Sequence, residues 1–243
     1  MTIALRGTPT QAADYANSQT VISYPTGHVS GDVLVLMAAH AYTFTGFYTP
    51  TDWTLLLNDT RSSGPYKIDQ SIYWRVDDGT LGSSLTLVHQ SGGGGMAIMY
   101  AFSGASTSTP AAAQYGSLNA ESATVDFPAL GSWASGNGYD LTFGAFNAIG
   151  HGMTDADPSG YTAGPSATED FWGRSHASHK ALSSVTTVGA LSATWSASYP
   201  NVGAHIFIKE PAEAGGGTLF LMLEDNSGSY ELEDGSGGTL LES

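Results

Sequence analysis

Asp155 and Asp157 are one residue apart in a stretch dense in Gly, Pro and Ser, and with Glu169 or Asp170 they could hold a hard cation through carboxylate oxygens. The competing reading makes them turn formers, because aspartate beside Gly and Pro readily bonds its own backbone. His176 and His179, with His151 and Asp155, have the residue types of a transition-metal site. In a strand, however, His-x-x-His sends the two rings to opposite faces, so they converge only on a helical turn. No spacing singles out a carboxylate pair for glycoside hydrolysis. There is no G-x-S-x-G elbow, and the glycines at 92–95 are not followed by a helical pattern, which argues against a phosphate cradle. The expectation is a protein that is not an enzyme, with no catalytic residue, no metal and no cofactor.

The remaining candidates are aromatic. Phe47 and Tyr48 follow Tyr42 and Phe44 in a loop with Gly46, and Phe171 and Trp172 close the long segment 151–172. As ligand residues, Phe47, Tyr48, Phe171 or Trp172 would stack on sugar faces at one end of a β-sandwich. As structural residues, the first group would cap the sandwich core.

The elements that must carry these side chains read as strands. Residues 83–102 form an apolar alternating run, a four-glycine break and a second alternating run, the pattern of a hairpin. Residues 192–208 repeat that design around Pro200-Asn201-Val202-Gly203. Residues 33–39 are continuously apolar, as expected of a central strand covered on both faces. In 71–76 Ile72 and Trp74 share one face, Tyr73 and Arg75 the other. Further strands are expected near 3–5, 20–24, 53–57, 123–127, 140–147, 177–183 and 185–188. Between the last sets, 151–172 reads as one long loop.

Charged residues make up only 12% of the chain, and Gly or Pro interrupts nearly every helix-length window. The fold class expected is all-β: an antiparallel two-sheet sandwich of jelly-roll or Greek-key type over residues 1–210. Sliding the chain by 108 positions sets Asp32 on Asp140, Pro50 on Pro158, Trp53 on Tyr161, Thr86 on Thr194, Gly95 on Gly203 and Ile98 on Ile206. A duplication and a simple recurrence of strand-turn spacing both account for this.

A net charge of −15 with only seven Lys and Arg excludes nucleic-acid binding through phosphates and disfavours anionic membranes. The absence of an apolar run of about eighteen residues argues against membrane insertion. The first fifteen residues lack a signal-peptide layout, so a chain made and folded in a cytosol is expected. Zero cysteines removes disulfide and thiolate chemistry.

Residues 211–217 read as a linker, and 218–243 carry only acidic charge. Leu223-Glu224-Asp225, Leu232-Glu233-Asp234 and Leu241-Glu242-Ser243 recur every nine residues, with Gly- and Ser-rich turns between them. The period matches calcium-binding nonapeptide repeats, but their Gly-Gly-x-Gly-x-Asp order is absent. A meander this small needs a partner surface. Leu219, Leu221, Leu223, Leu232, Leu240 and Leu241 are its candidate assembly residues.

The runs Gly31-Asp32-Val33-Leu34-Val35, Pro50-Thr51-Asp52-Trp53-Thr54, Ile72-Tyr73-Trp74-Arg75-Val76, Pro158-Ser159-Gly160-Tyr161-Thr162 and Ala193-Thr194-Trp195-Ser196 together resemble a loose group of tailed-phage virion proteins. The terminal stretch from Leu232 to Ser243 is similar to the ends of phage structural proteins. The resemblance implies a non-enzymatic role on a particle: head decoration, head fibre, or a tail-associated adhesin. It implies a virion assembled in the host cytoplasm, other capsid or tail proteins as partners, and a homo-oligomer, with a trimer among the candidates. The alternative is a carbohydrate-binding module or adhesin. The two are compatible if a surface fibre also holds host polysaccharide.

Overall fold

The computed structural model describes residues 2–14, 17–41, 46–63, 66–90, 95–131, 136–147, 154–169, 173–211, 223–224 and 230–231. Among the described residues there is no helix, hence none long and apolar enough to cross a membrane. The chain divides into two compact units, Met1–Glu210 and Pro211–Ser243.

The first unit is an antiparallel β-sandwich. Its first half supplies β1 (Ala4–Leu5), β2 (Thr10–Asp14), β3 (Gln19–Ser23), β4 (Val33–Ala41), β5 (Thr54–Ser63), β6 (Tyr66–Val76), β7 (Ser84–Val88) and β8 (Gly95–Ser103). β1 and β2 both pair with β8, and the sheet continues β8-β4-β6-β5. The second half supplies β9 (Ala111–Tyr115), β10 (Asn119–Phe127), β11 (Gly136–Asn147), β12 (Thr162–Glu169), β13 (Gly173–Val185) and β14 (Leu191–Lys209). Here β9 and β10 pair with β14, and the sheet continues β14-β11-β13-β12. The chain thus completes one sheet before it starts the other.

The core lies between the sheets. Val33, Val35, Met37 and Ala39 from β4 and Met96, Ile98, Tyr100 and Phe102 from β8 join Leu141, Phe143 and Ala145 from β11 and Val202, Ala204, Ile206 and Ile208 from β14 in one buried cluster. Each large side chain closed off there is worth about 1.5–3 kcal/mol of transfer free energy. Gln70 is a polar member of that layer: its Nε2 donates across the gap to the Phe143 and Val202 carbonyls at 3.4 and 3.3 Å. A buried amide that reaches backbone acceptors in the opposite sheet fixes how the two sheets are aligned.

Each sheet also has a covering ribbon. β3 pairs with β7 over the outer face of the first sheet, burying Ile22 and Leu87 on Leu34, Leu36, Ala38 and Met99. β10 and the first part of β14 cover the second sheet through Val125, Phe127, Ala193 and Trp195, which pack with Phe146. This is why β4, expected to be covered on both faces, has only buried residues from Val33 to His40.

Four expectations are corrected. β7 and β8 do not form a hairpin: β7 belongs to the ribbon and β8 to the main sheet. The alternation was real, but it belongs to strands in different layers, and Gly95 marks a close approach rather than a reversal. A Cβ there would sit 2.7 Å from His89 Nε2. Likewise 192–208 contains no turn; β14 runs unbroken for 19 residues, paired first with β10 and then with β11 and β9. The long loop 151–172 is also shortened, because Thr162–Glu169 is an edge strand on β13. Its Gly164 and Pro165 fall at the register shift between Ala163 and Ser166, where an edge tolerates them. The strand expected at 177–183 lies within β13, which ends at Val185; of the one expected at 185–188 only Val185 belongs to it, with Val188 bridging Gly131 beyond.

The internal recurrence proves to be one of whole sheets. Strand order is the same in both halves, and β5 lies over β9 as β12 lies over β2. The turn at Pro50 closes by Trp53 N–H donating to Pro50 O at 3.2 Å, and its counterpart by Tyr161 N–H donating to Pro158 O at 3.0 Å.

In the second unit β15 (Leu223–Glu224) pairs with β16 (Tyr230–Glu231), Leu223 opposite Glu231. Leu219, Leu221, Leu232, Leu240 and Leu241 lie outside the described residues.

Candidate functional site

The two halves differ most on the outer faces of their sheets. On the first sheet the middle of that face is apolar: Leu34, Leu36, Ala38, Tyr73, Ala97, Met99 and Ala101. On the second sheet the corresponding strands present Asp140 and Thr142 from β11, Arg174, His176 and Ser178 from β13, and His205 from β14. All but Arg174 are buried. The first half keeps its ionisable groups on that face toward the ends of its strands, Asp32 and His40 at the two ends of β4 and Asp69 and Arg75 on β6, whereas the second half carries His176 and Thr142 in the middle of the face.

Alternation along β13 puts Arg174, His176, Ser178 and Lys180 on one face, and the segment 154–161 lays Asp155, Asp157 and Tyr161 against them. Arg174 grips Asp155 with Nε at 2.5 Å and Nη2 at 2.6 Å, a two-point charge-assisted contact that raises the guanidinium's pKa further. His176 Nε2 is 2.8 Å from Asp157 Oδ1, and Nδ1 is 2.9 Å from Ser166 Oγ. Trp195 meets the His176 ring edge-on at 5.9 Å. Deeper on the face, Thr142 and Ser178 share a hydroxyl bond of 2.5 Å. His205 donates from Nδ1 to Pro128 O at 2.6 Å and turns Nε2 to Asp140 Oδ1 at 2.8 Å, a close polar contact outside hydrogen-bond alignment. Tyr161 donates its hydroxyl to the other oxygen of Asp140. Burial, then the Asp140 charge, push the Tyr161 pKa up, so the phenol stays a donor. Lys180 sits over the Tyr161 ring, 5.6 Å from its centroid.

Ser166, His176 and Asp157 have the residue types of a nucleophile, base and orienting acid. The hydrogen bonding runs against that use. Ser166 donates its hydroxyl proton to Asp155, so its Oγ accepts from His176 Nδ1 instead of giving a proton up to it. The geometry describes a cross-linking network between β12, β13 and the 154–161 segment.

The sequence candidates fall as follows. Asp155 and Asp157 do converge on His176, but Arg174 occupies the position a cation would take, and among the described residues no group of three or more His, Asp or Glu could hold a metal ion. His179 projects to the opposite side from His176, as strand alternation requires, and packs on Tyr100 and Tyr139 at 5.7 and 6.4 Å. Burial lowers its pKa. His151, Asp170, Phe171 and Trp172 lie outside the described residues. Phe47 is corrected as a ligand residue: it is 2% exposed, wedged edge-on against His89 at 5.2 Å, and so cannot offer a ring face to solvent. Tyr48 is 57% exposed and remains available.

Sequence reasoning missed Asp140, His205, Ser166 and Arg174. The signal was present in part: Asp140 and His205 interrupt strongly apolar strand runs, and a polar residue in such a place needs a partner. Comparison with protein families, curated proteins and solved structures gives no match for this chain.

Proposed function

We propose that the chain is a non-enzymatic structural protein of a tailed-phage-like particle, a surface decoration, head fibre or tail-associated component, with residues 1–210 as the projecting body and 211–243 as the part that docks. The observation that carries this reading is the engagement of the ionisable groups on the second sheet. Asp155 is held by Arg174 and Ser166, Asp157 by His176, and Asp140 by Tyr161 and His205. Groups locked to one another serve rigidity, and a body with both faces of each sheet covered suits a part that must keep its shape outside a cell.

The division into two compact units supports the second half of the reading. A short acidic repeat whose described ladder is two residues long buries little surface by itself and gains stability from a neighbour, whether a capsid or tail protein or further copies of the chain. Immunogold labelling of particles from the source culture tests the proposal. Beads should decorate particles at a regular position. Label confined to the soluble fraction would refute it.

A further inference from the structure

The geometry points to a binding surface for a neutral carbohydrate on the outer face of the β3–β7 ribbon, with the Tyr48 ring as its stacking platform. β3 and β7 pair with Gln19 opposite Val88 and Val21 opposite Thr86. Phe47 bridges His89, and the Tyr48 N–H donates to Val88 O at 2.9 Å, so residues 47 and 48 extend the ribbon by a third strand. Directly opposed residues of antiparallel strands project to the same side. Gln19, Val88 and Tyr48 therefore form one row about 10 Å long at ordinary strand spacing, with Val21 and Thr86 in the next row. The other side of the ribbon is spent on the core through Ile22, Leu87 and Phe47.

The second half shows that the fold does not need this face to be apolar. Its ribbon has Thr124 opposite Thr194, where the first has Val21 opposite Thr86, and Ser196 stands 108 residues after Val88. Thr124 and Thr194 join by their hydroxyls at 3.5 Å. In the first half Val21 is 57% exposed, Tyr48 57% and Val88 36%, three of the five exposed large apolar side chains among the described residues. Apolar side chains gathered on one solvent-facing surface mark a partner.

The partner's chemistry follows from charge. On a chain of net charge −15, the outward residues Gln19, Val21, Tyr48, Thr86 and Val88 are all neutral. An ionic ligand would find no counter-charge there. A neutral pyranose offers an apolar C–H face to a tyrosine ring and hydroxyls to amide and hydroxyl side chains. Binding by the isolated chain would stand whether or not the chain rides on a particle.

The test is affinity electrophoresis of the full chain through gels containing a neutral glucan, mannan or galactan, or an acidic polysaccharide. The expected result is retardation by at least one neutral polymer and none by the acidic one. Tyr48→Ala should weaken it about tenfold, the effect of losing about 1.4 kcal/mol. The double variant Val21→Thr with Val88→Ser should also weaken it while unfolding at the wild-type temperature, because the second half already folds with those hydroxyls. The proposal is overturned if no neutral polymer retards the wild type, or if Tyr48→Ala binds as well as wild type. It is equally overturned if the substitutions change only the mass measured by light scattering, which would assign the face to a second copy.

Discussion

Trp53 and Tyr161 stand 108 residues apart at the same corner of two sheets with one strand order, each closing a turn on the proline three residues before it. The residue preceding each takes a left-handed φ, +64° at Asp52 and +79° at Gly160. One copy uses glycine where the backbone demands it, and the other uses an aspartate.

Asp52→Gly should therefore stabilise the protein. An L-residue pays for the left-handed region, and removing its Cβ should gain about 0.5–1 kcal/mol. The side chain is largely exposed and its contact with Arg75 is long, 3.7 Å, so little is lost. Urea denaturation should show a raised midpoint with unchanged slope; a lowered midpoint would mean that the Arg75 contact outweighs the strain.

Gly203 marks the place where the second ribbon presses on its sheet. A Cβ there would lie 2.5 Å from Asp126 O and 2.7 Å from Phe127 Cδ1. Gly203→Ala should cost about 1–3 kcal/mol through overpacking. Gly189→Ala, with nothing within 4 Å of the new methyl, should be close to neutral in the same thermal unfolding experiment.

The Asp155–Arg174 pair should behave as a cross-link of the fold. Arg174→Met should destabilise by about 1–3 kcal/mol by leaving Asp155 without its two-point partner. The double variant with Asp155→Asn should cost less than the sum of the single changes. Strict additivity in the double-mutant cycle would remove the pair from the account.

His179 should make the sandwich acid-sensitive. Its ring is half-buried between Tyr100 and Tyr139, its Nδ1 has no hydrogen-bond partner, and desolvation lowers its pKa from 6.5. Below pH 6.5 the unfolded chain takes up a proton that the folded chain refuses. The contribution is thus complete above that pH and is lost as pH falls from there through the folded-state pKa. His179→Phe should flatten the fall in stability between pH 7 and 5 in urea titrations at several pH values. An unchanged slope would place the acid sensitivity elsewhere.

The strands were legible because a strand covered on one face alternates, as β3 and β7 do, and a strand covered on both is continuously apolar, as β4 and β8 are. The layer each strand joins was not legible. Residues 83–102 look like a hairpin because alternation and glycine are local, whereas the pairing of β7 with β3 and of β8 with β4 is long-range. Edge strand β12 was hidden by Gly164 and Pro165, which a central strand would not accept. Of the polar network, Asp155, Asp157 and His176 could be named from type and spacing. Arg174 and Ser166 could not, because what joins them to Asp155 is the fold of the 154–161 segment over β12 and β13.

The most direct test of the central claim is sedimentation with particles that lack this protein. Full chain and a chain ending at Glu210 would each be added back and spun through a density gradient. The account predicts that the full chain travels with the particles while the shorter chain, folded by circular dichroism, stays at the top. Equal pelleting of both chains, or of neither, would contradict it.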